Sequence, residues 1–255
     1  MFSIITPTYK RPAELMRAVQ SVIDQSVTNW ELIIVNDNPG DGATSAIAAL
    51  GDKRIVALEN DANQGVNYSR NRGLDSTAPQ SNWVIFLDDD DTLAPNALAN
   101  LVSIMTRNPS QWLVTARGTS INTPTTVAPK HIHYYSYTWD YLITRRFKGD
   151  ATHCIHTALL KNENHKILFP TRIRQAEEWL FYSELGSKNR FYYEPIVTTL
   201  TAGYLPTGLN FRPRTTARQL RLIPILIREA AGRHLYLSPT FWIYVKMRII
   251  RAFIK

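Results

Sequence analysis

Short apolar runs alternate with segments of helical periodicity along the first hundred residues of the chain. The runs at 2–6, 32–35, 55–58 and 83–87 fit strands that are buried on both faces. Apolar side chains recur at helical spacing over 12–23, 44–50, 67–74 and 95–105. This alternation predicts βαβ units around a parallel sheet, which is an α/β fold. Beyond residue 110 the pattern predicts a strand at 112–116 and a helix at 175–185.

Three of the predicted strands end in polar residues. These residues are Thr6-Pro7-Thr8-Tyr9, Asn36-Asp37 and the run Asp88-Asp89-Asp90-Asp91. In open parallel sheets, ligands bind in the crevice beyond the carboxyl ends of the strands. We therefore expect these side chains to meet at one edge of the sheet and to form the functional site.

The composition is that of a globular protein. Of the 255 residues 44% are hydrophobic, enough to bury a core, and apolar stretches reach no more than five residues, so no transmembrane helix is expected. No basic region followed by an apolar segment opens the sequence, so no secretory signal is expected. Cys154, the one cysteine, cannot form an internal disulfide, which fits a reducing cytoplasm.

The net charge of +8 is concentrated near the C-terminus. Residues 205–255 carry ten Lys or Arg against Glu229 alone, a net charge of +9, whereas residues 1–204 carry a net charge of −1. The last fifth of the chain is therefore strongly basic, whereas the rest is close to neutral. Ser238-Pro239 predicts the start of a helix within this basic segment.

That helix has an amphipathic pattern. Trp242, Ile243 and Ile250 share one side with other apolar residues, and Arg248 and Arg251 share the opposite side. Such a helix can lie on an anionic membrane surface, which we expect residues 216–255 to contact. Packing against the rest of the chain or a homodimer contact is the alternative. Since no nucleic-acid-binding motif is present, no nucleic-acid partner is expected.

The strongest chemical signal is the acidic run 88–91, directly after the fourth apolar run. Neighbouring carboxylates repel one another, so four of them at the end of a buried strand need solvent, raised pKa values or a cation. Mg²⁺ and Mn²⁺ prefer oxygen ligands and bind carboxylates together with phosphate oxygens. A solvated acidic loop that caps the next helix is the alternative to a metal site.

A second segment, Gly65 to Gly73, places a glycine before a helix and Arg70 within it. Glycine permits close approach of the backbone to a ligand, and the planar guanidinium group suits phosphate. A surface helix after a glycine turn explains this segment equally well.

Taken together, these segments resemble the family 2 glycosyltransferases of the GT-A fold, a Rossmann-like, mostly parallel sheet flanked by helices. The opening strand runs into Pro7-Thr8-Tyr9, and the next strand ends in Asn36-Asp37, where the family usually has an acidic pair. The family's Gly-x-x-x-x-Arg-Asn-x-Gly segment matches 65–73. Its metal motif, Leu-Asp-x-Asp-Asp-x-x-x-Pro, matches 87–95 and contains D-x-D. Four ordered matches make the resemblance specific.

The resemblance implies roles for the matching residues. Pro7, Thr8, Tyr9 and Asp37 would hold the nucleoside, with Asp37 accepting a hydrogen bond from uracil if the donor is a UDP-sugar. Asp89, at the variable position of the motif, would also lie against the nucleotide-sugar.

The diphosphate end of the donor is implied by the same resemblance. Arg70 would contact the donor, while Asp90 and Asp88 would bind Mn²⁺ or Mg²⁺ on its diphosphate, with Asp90 the main ligand.

The general base is implied at Glu178. Family members usually carry Glu-Asp at this helix start, where this chain has Glu177-Glu178, and Glu177 is the fallback. Inversion at a sugar carbon needs a carboxylate that takes the proton of the acceptor hydroxyl, and Glu has nearly the same reference pKa as Asp. The alternative is that the two glutamates have no catalytic role and are present because acidic side chains are stabilised near a helix N-terminus.

Two further groups have weaker patterns. His153, Cys154 and His156 supply too few ligands for a zinc signature, so packing or acceptor-side hydrogen bonding is favoured over a metal role. An aromatic cluster follows where an acceptor sugar could stack, and core packing explains it equally well. Its members are Tyr134, Tyr135, Tyr137, Trp139 and Tyr141.

The resulting hypothesis is an inverting, metal-dependent glycosyltransferase. It would move a sugar from a nucleotide-sugar, UDP-linked by preference, to a hydroxyl of a glycan or lipid-linked acceptor in cell-surface polysaccharide or lipopolysaccharide synthesis. We expect it in the cytoplasm, peripherally on the inner face of the cell membrane. A non-catalytic, membrane-binding scaffold and a nucleotidyltransferase are the rivals, although residues 7–12 lack the glycine-rich loop expected of the latter.

The predicted organisation is a GT-A domain followed by a basic helical tail. Residues 1–205 form the domain, with a nucleotide-sugar half at 1–117 and an acceptor and base half at 118–205, and residues 206–255 form the tail.

Overall fold

The computed structural model describes residues 1–162, 165–172, 178–201, 216–233, 235 and 239–253. The strands are β1 (Phe2–Thr8), β2 (Trp30–Asn36), β3 (Ile55–Glu59), β4 (Trp83–Phe86), β5 (Asp91–Leu93), β6 (Trp112–Ser120), β7 (Thr123–Pro124), β8 (Tyr134–Tyr135), β9 (Ala151–His156), β10 (Lys161–Asn162), β11 (His165–Lys166) and β12 (Phe191–Thr201). The helices are α1 (Pro12–Ile23), α2 (Ala43–Ala48), α3 (Val66–Asp75), α4 (Ala97–Arg107), α5 (Trp179–Leu185), α6 (Thr216–Gly232) and α7 (Pro239–Phe253). A π-helical segment (Tyr137–Ile143) and a 3₁₀ turn (Thr157–Leu159) complete the elements.

The alternation of strands and helices predicted for the first hundred residues is confirmed. β1 and β2 extend past their apolar runs because they pair in parallel as far as Thr8 and Asn36. α4 begins at Ala97, two residues after the predicted start, because Asn96 has a left-handed backbone conformation with a φ of 58°. The residues at 91–93 form β5 instead. The local pattern did not predict β5, since it depends on antiparallel pairing with β12, more than a hundred residues away.

The main sheet is mostly parallel, as predicted. Its strand order is β3-β2-β1-β4-β9-β6-β12-β5, and β3, β2, β1, β4, β6 and β12 run in one direction. β9 and β5 run in the opposite direction. The carboxyl ends of β1, β2, β4 and β6 therefore meet at one edge of the sheet.

The inner strands β1 and β2 are buried on both faces, which explains their continuous apolar runs, whereas the edge strand β3 is partly exposed. Side chains alternate in direction along β1, so Ile4 packs into a cluster with α1 and α4, and Ile5 packs into an aromatic-rich cluster on the other face. α3 lies close against β1, because a Cβ at Gly73 would come within 2.4 Å of the Ile5 side chain. This close packing brings the Arg70 helix next to the strand ends.

The C-terminal helices pack onto the domain. Leu226, Phe241 and Val245 are buried, and the Phe241 ring stacks on Trp179 with 6.2 Å between centroids. The packing alternative is thus confirmed for this side of the tail. In the ranges described, no helix is both long and apolar enough to cross a membrane.

The other side of α7 is open to solvent. Trp242, Ile243 and Ile250 are exposed although they are apolar. The helix starts at Pro239, as the sequence predicted.

Two sequence predictions reach beyond the described residues. The helix predicted at 175–185 is present as Trp179–Leu185, and residues 175–177 lie outside the described ranges. The domain boundary at 205 falls in the same kind of gap and stays a prediction. The predicted boundary between the nucleotide-sugar half and the acceptor and base half, at residue 117, lies within β6.

Candidate active site

The polar ends of β1, β2 and β4 meet at one edge of the sheet, as predicted. Thr8 Oγ1 donates to Asp89 Oδ2 at 2.8 Å, and the backbone nitrogen of Tyr9 lies 3.4 Å from the same oxygen. Pro7 lies in β1, buried and opposite Val35 of β2, whereas the Tyr9 side chain is exposed at the rim. The start of the chain and the acidic run therefore share one surface.

Asp37 is buried where β2 ends. Its carboxylate accepts hydrogen bonds from the Asn60 side chain and from the backbone nitrogens of Gln64 and Gly65, at 2.7–2.8 Å. Gly65 has a φ of 91°, a conformation that favours glycine. Asp37 therefore fixes the turn that leads into α3. Its oxygens have four acceptor positions, and donors among the described residues use three of them.

Arg70 connects the acidic run with the predicted base. It is 4% exposed, and its guanidinium donates to Asp88 Oδ1 at 2.8 Å and to Glu178 Oε1 at 2.6 Å. Burial alone would lower the pKa of Arg70, but the charges of Glu178 and Asp88 raise it. Its Nε is buried and has no hydrogen-bond partner among the described residues. Arg70 thus stays charged and retains unused donor capacity.

The acidic run divides into two sets. Oxygens of Asp88, Asp90 and Asp91 lie within 4.8 Å of one another. Asp89 instead faces Thr8. An all-oxygen donor set of this kind fits a hard divalent cation such as Mg²⁺ or Mn²⁺. The sequence predicted Asp88 and Asp90 for this role, and the structure adds Asp91 beside them.

The carboxylates at this edge differ in pKa according to their surroundings. Burial raises the pKa of Asp89 to about 6 and raises the pKa values of Asp90 and Asp91. Burial also opposes ionisation of Asp88, but Arg70 and Arg117 overcome it and lower its pKa. The cluster therefore combines one firmly ionised carboxylate with others that a cation would help to ionise.

Two arginines at this edge were missed by the sequence reasoning. Arg11 contacts Asp89 and Asp90 at 3.0 and 2.8 Å, and Arg117 contacts Asp91 at 3.0 Å and Asp88 at 3.7 Å. A signal for Arg117 existed: it directly follows the predicted strand 112–116, whose carboxyl end reaches the same edge. Arg11 had no comparable signal beyond its place after β1.

The comparisons with known proteins identify the family. The family model described as Glycosyl transferase family 2 matches residues 3–168. The chain belongs to glycosyltransferase family 2. The match decides against the nucleotidyltransferase interpretation.

Two curated relatives of this glycosyltransferase family member are named as bacterial glucosyltransferases that act on undecaprenol-linked sugars. It is 31% identical over 108 residues to the UDP-Glc:alpha-D-GlcNAc-diphosphoundecaprenol beta-1,3-glucosyltransferase WfgD of Escherichia coli, covering 42% of each chain. It is 37% identical over 103 residues to the GalNAc(5)-diNAcBac-PP-undecaprenol beta-1,3-glucosyltransferase of Campylobacter jejuni, covering 39% of this chain and 33% of that one. The chain thus spans well under half the length of these relatives.

Solved structures show that the family 2 chain has the GT-A fold. S. aureus TarS in complex with UDP-GlcNAc superposes with a TM-score of 0.71 at 18% identity, over 89% of this chain and 65% of that one. The mannosyltransferase PcManGT of Pyrobaculum calidifontis, in complex with GDP-Man and Mn²⁺, gives a TM-score of 0.59 at 16% identity, over 98% of this chain and 73% of that one. At 16–18% sequence identity, this structural similarity establishes the fold of the chain and nothing further.

The weaker sequence candidates of this family 2 member lie mainly in the core. His153 Nδ1 accepts from Trp112 Nε1 at 3.1 Å, and its ring stacks 4.1 Å from Tyr182. Burial, with Arg117 nearby, lowers the pKa of His153 to about 3. His153 is therefore a neutral packing residue and lies outside the carboxylate cluster of the described residues. Cys154 is also buried.

The aromatic cluster splits between core and surface. Tyr135 and Tyr137 are buried, which confirms the packing interpretation for them. Tyr134 and Trp139 are exposed, although the Tyr134 ring also packs edge to face with Tyr192 at 5.3 Å. Tyr141 stacks on Tyr137 at 5.0 Å.

Proposed function

We propose that this family 2 protein is an inverting, metal-dependent glycosyltransferase of the hexosyltransferase type. It transfers a sugar from a UDP-sugar to a hydroxyl of a glycan or lipid-linked acceptor in cell-surface polysaccharide or lipopolysaccharide synthesis. The observation that carries this proposal is the bridge from Glu178 through Arg70 to Asp88, which joins a candidate base to a candidate diphosphate site.

The nucleoside is proposed to bind at the ends of β1 and β2. Pro7, Thr8 and Tyr9 form one wall, and Asp37 has one remaining acceptor position for the uracil edge. Asp89, held by Thr8, lies between this wall and the acidic cluster.

The diphosphate is proposed to bind at the acidic cluster together with a divalent cation. Asp90 and Asp88 would hold Mn²⁺ or Mg²⁺, with Asp91 beside them. The cation supplies the positive charge that lets carboxylates and a diphosphate occupy one site. Arg70 would donate to the diphosphate, because its guanidinium is buried and has an unused Nε donor within the described part of the chain.

Glu178 is proposed as the general base. Its side chain is 37% exposed, so an acceptor can reach it, and Arg70 fixes one of its oxygens. The acceptor oxygen forms a bond to the anomeric carbon as its proton passes to Glu178. The bond from that carbon to the phosphate oxygen breaks, and its electron pair leaves with UDP. Glu177, the fallback, lies outside the described residues.

A panel of nucleotide-sugars with Mn²⁺ tests the donor. We expect UDP-sugars to bind in calorimetry and to be hydrolysed slowly without an acceptor. The absence of binding by every donor in the presence of metal would contradict the enzyme assignment and favour the scaffold.

Substitution of the base tests the mechanism. Glu178→Gln should keep donor binding and lower transfer at least about 10²-fold, because the amide cannot take a proton. Glu14→Gln on α1 removes a carboxylate outside the candidate site and serves as the control. Equal transfer by Glu178→Gln and the control would place the base elsewhere.

The basic tail is proposed to contact an anionic membrane surface through 216–255. α7 packs one side on the domain and exposes Trp242, Ile243 and Ile250, with Lys246 also exposed on that side. Apolar side chains beside a cation suit the interface of a bilayer, and the net positive charge of the tail selects anionic lipids. This contact would hold the protein at the inner face of the cell membrane.

Vesicle sedimentation tests the membrane contact. The full chain should partition onto vesicles with 30% phosphatidylglycerol and stay in solution with phosphatidylcholine alone, a difference that high salt reduces. Equal partitioning overturns the proposal, and a concentration-dependent dimer in ultracentrifugation without vesicle binding would assign this side of α7 to a homodimer.

A further inference from the structure

A cavity of about 410 Å³ lies between α3, residues 166–172, α5 and α6. This volume falls within the range of small-ligand sites. It is lined by residues outside the candidate active site, among them Asn71, Arg172, Glu184, Arg228 and Arg233.

The cavity is joined to the candidate active site by shared elements. α3 supplies Arg70 to the site and Asn71 to the cavity. Asn71 exchanges two hydrogen bonds with the backbone of Phe169, at 3.0 and 2.8 Å, and the Phe169 ring lies 5.3 Å from the Arg70 guanidinium. α5 begins beside Glu178 and supplies Glu184 to the cavity. α3 and α5 therefore each contribute residues both to the cavity and to the candidate active site.

The lining of the cavity has an excess of positive charge. Four cationic side chains line it against two carboxylates. Lys166 is paired with Asp75 outside the lining, and the two carboxylates, Glu184 and Glu229, are both paired with Arg233. Arg172 reaches Glu229 only at 3.7 Å, and Arg228 is exposed with no ion pair to the described residues. The buried Nε of Arg233 also has no acceptor in the described ranges. Unused cationic donors in a cavity of this kind suit an anion.

Most of the charged lining of the cavity follows the segment that the family model matches. The match ends at residue 168, and Arg172, Glu184, Arg228 and Arg233 lie beyond it. Glu178, which is proposed to take the proton of the acceptor, lies in the same later segment, so the cavity is built from the part of the chain that is proposed to meet the acceptor.

We infer that this cavity binds a phosphate group, as the phosphate-bearing part of the acceptor. The inference rests on the proposed function for its acceptor. A neutral sugar would leave the cationic excess without a partner, whereas an oxygen-rich anion satisfies Arg228, Arg172 and the free Nε of Arg233 together.

Calorimetry with two probes tests the inference. UDP and Mn²⁺ are first bound to the full chain, and hexyl phosphate and inorganic phosphate are then titrated in separate experiments. We expect saturable binding of hexyl phosphate, at least about fivefold weaker in Arg228→Gln and in Arg172→Gln. Arg107→Gln, an exposed arginine of α4, removes the same charge elsewhere and should bind as the unsubstituted protein does.

The outcomes distinguish an esterified phosphate from free phosphate, and they distinguish failure of the cavity inference from failure of the proposed function. Tighter binding of hexyl phosphate than of inorganic phosphate supports an esterified, acceptor-borne group, and equal affinity overturns the acceptor assignment. Lack of saturable binding, or equal affinity in the cavity variants and Arg107→Gln, overturns the site itself. Failure of UDP and Mn²⁺ to bind in the first step contradicts the proposed function instead, and titration of the free protein still tests the cavity.

Discussion

The acidic edge of the sheet and the basic tail carry charge in opposite ways. At the edge, Asp88 to Asp91 lie against Arg11, Arg70 and Arg117, so their charges are partly buried and paired. On the tail, Arg228 and Lys246 are exposed. The energy of a buried ion pair depends on its exact geometry, so buried, paired charges suit a catalytic site. Exposed charges contribute little as pairs but create a field over a longer distance, so they suit recognition of a charged surface or an anion.

Among substitutions of charged residues, the largest effect is expected where a buried pairing is broken. Arg70→Met leaves Asp88 and Glu178 without their shared partner and should cost about 3 kcal/mol, the lower end for a buried pair because both carboxylates are about a third exposed. Urea unfolding measures it. Arg107→Met, which breaks an exposed contact of 3.8 Å to Glu194, should cost less than about 1 kcal/mol. Equal costs for the two variants would remove the contrast between edge and surface.

A cation should compensate for a lost arginine only at the edge. Arg117→Met should lower stability by about 2 kcal/mol in EDTA, less than full burial would give because Asp88 is partly exposed. Mn²⁺ with UDP should then raise the melting temperature of the variant by more than it raises that of the unsubstituted protein, since Asp91 and Oδ2 of Asp88 no longer contact Arg117 and can bind the cation. Equal increments would mean that Arg117 only supports the fold.

His153 shows how burial lowers the pKa of a histidine that has no opposite charge beside it. Its pKa is about 3 in the folded protein and about 6.5 when unfolded, so the unfolded state binds more protons between these values and stability falls as the pH drops below about 6.5. Because the ring is partly exposed, we expect a loss of about 1 kcal/mol between pH 7 and pH 5. His153→Gln should lose less over this interval in urea unfolding; the same slope would contradict the assignment.

The smallest effect on stability is expected on the open side of α7. Ile243→Ser and Ile250→Ser should change the free energy of unfolding by no more than about 0.5 kcal/mol, because both side chains are exposed. Vesicle binding should nevertheless fall. Phe241→Ala, on the buried side of the same helix, should cost about 3–5 kcal/mol. Unchanged vesicle binding in the Ile variants would leave the packing role as the function of α7.

Local sequence patterns predicted the elements whose burial shows directly in their hydrophobic periodicity. The strands of the first hundred residues were predictable because burial on both faces produces continuous apolar runs, and α1 because one apolar side recurs at helical spacing. β5 was not, since three residues of a strand have no pattern of their own without β12. α5 was placed correctly in the part that the structure describes, where it begins at Trp179 with Glu178 as the capping residue.

The sequence by itself determined the α/β order, the acidic run, the Gly65–Gly73 segment and the uneven distribution of charge, because these depend on residue type and spacing along the chain. Only the tertiary structure decided which charges meet. Arg70 reaches Glu178 across 108 positions, and Arg117 joins Asp88 and Asp91 because parallel strands bring their carboxyl ends to one edge. Pairings of this kind depend on distance in space, which sequence spacing does not specify.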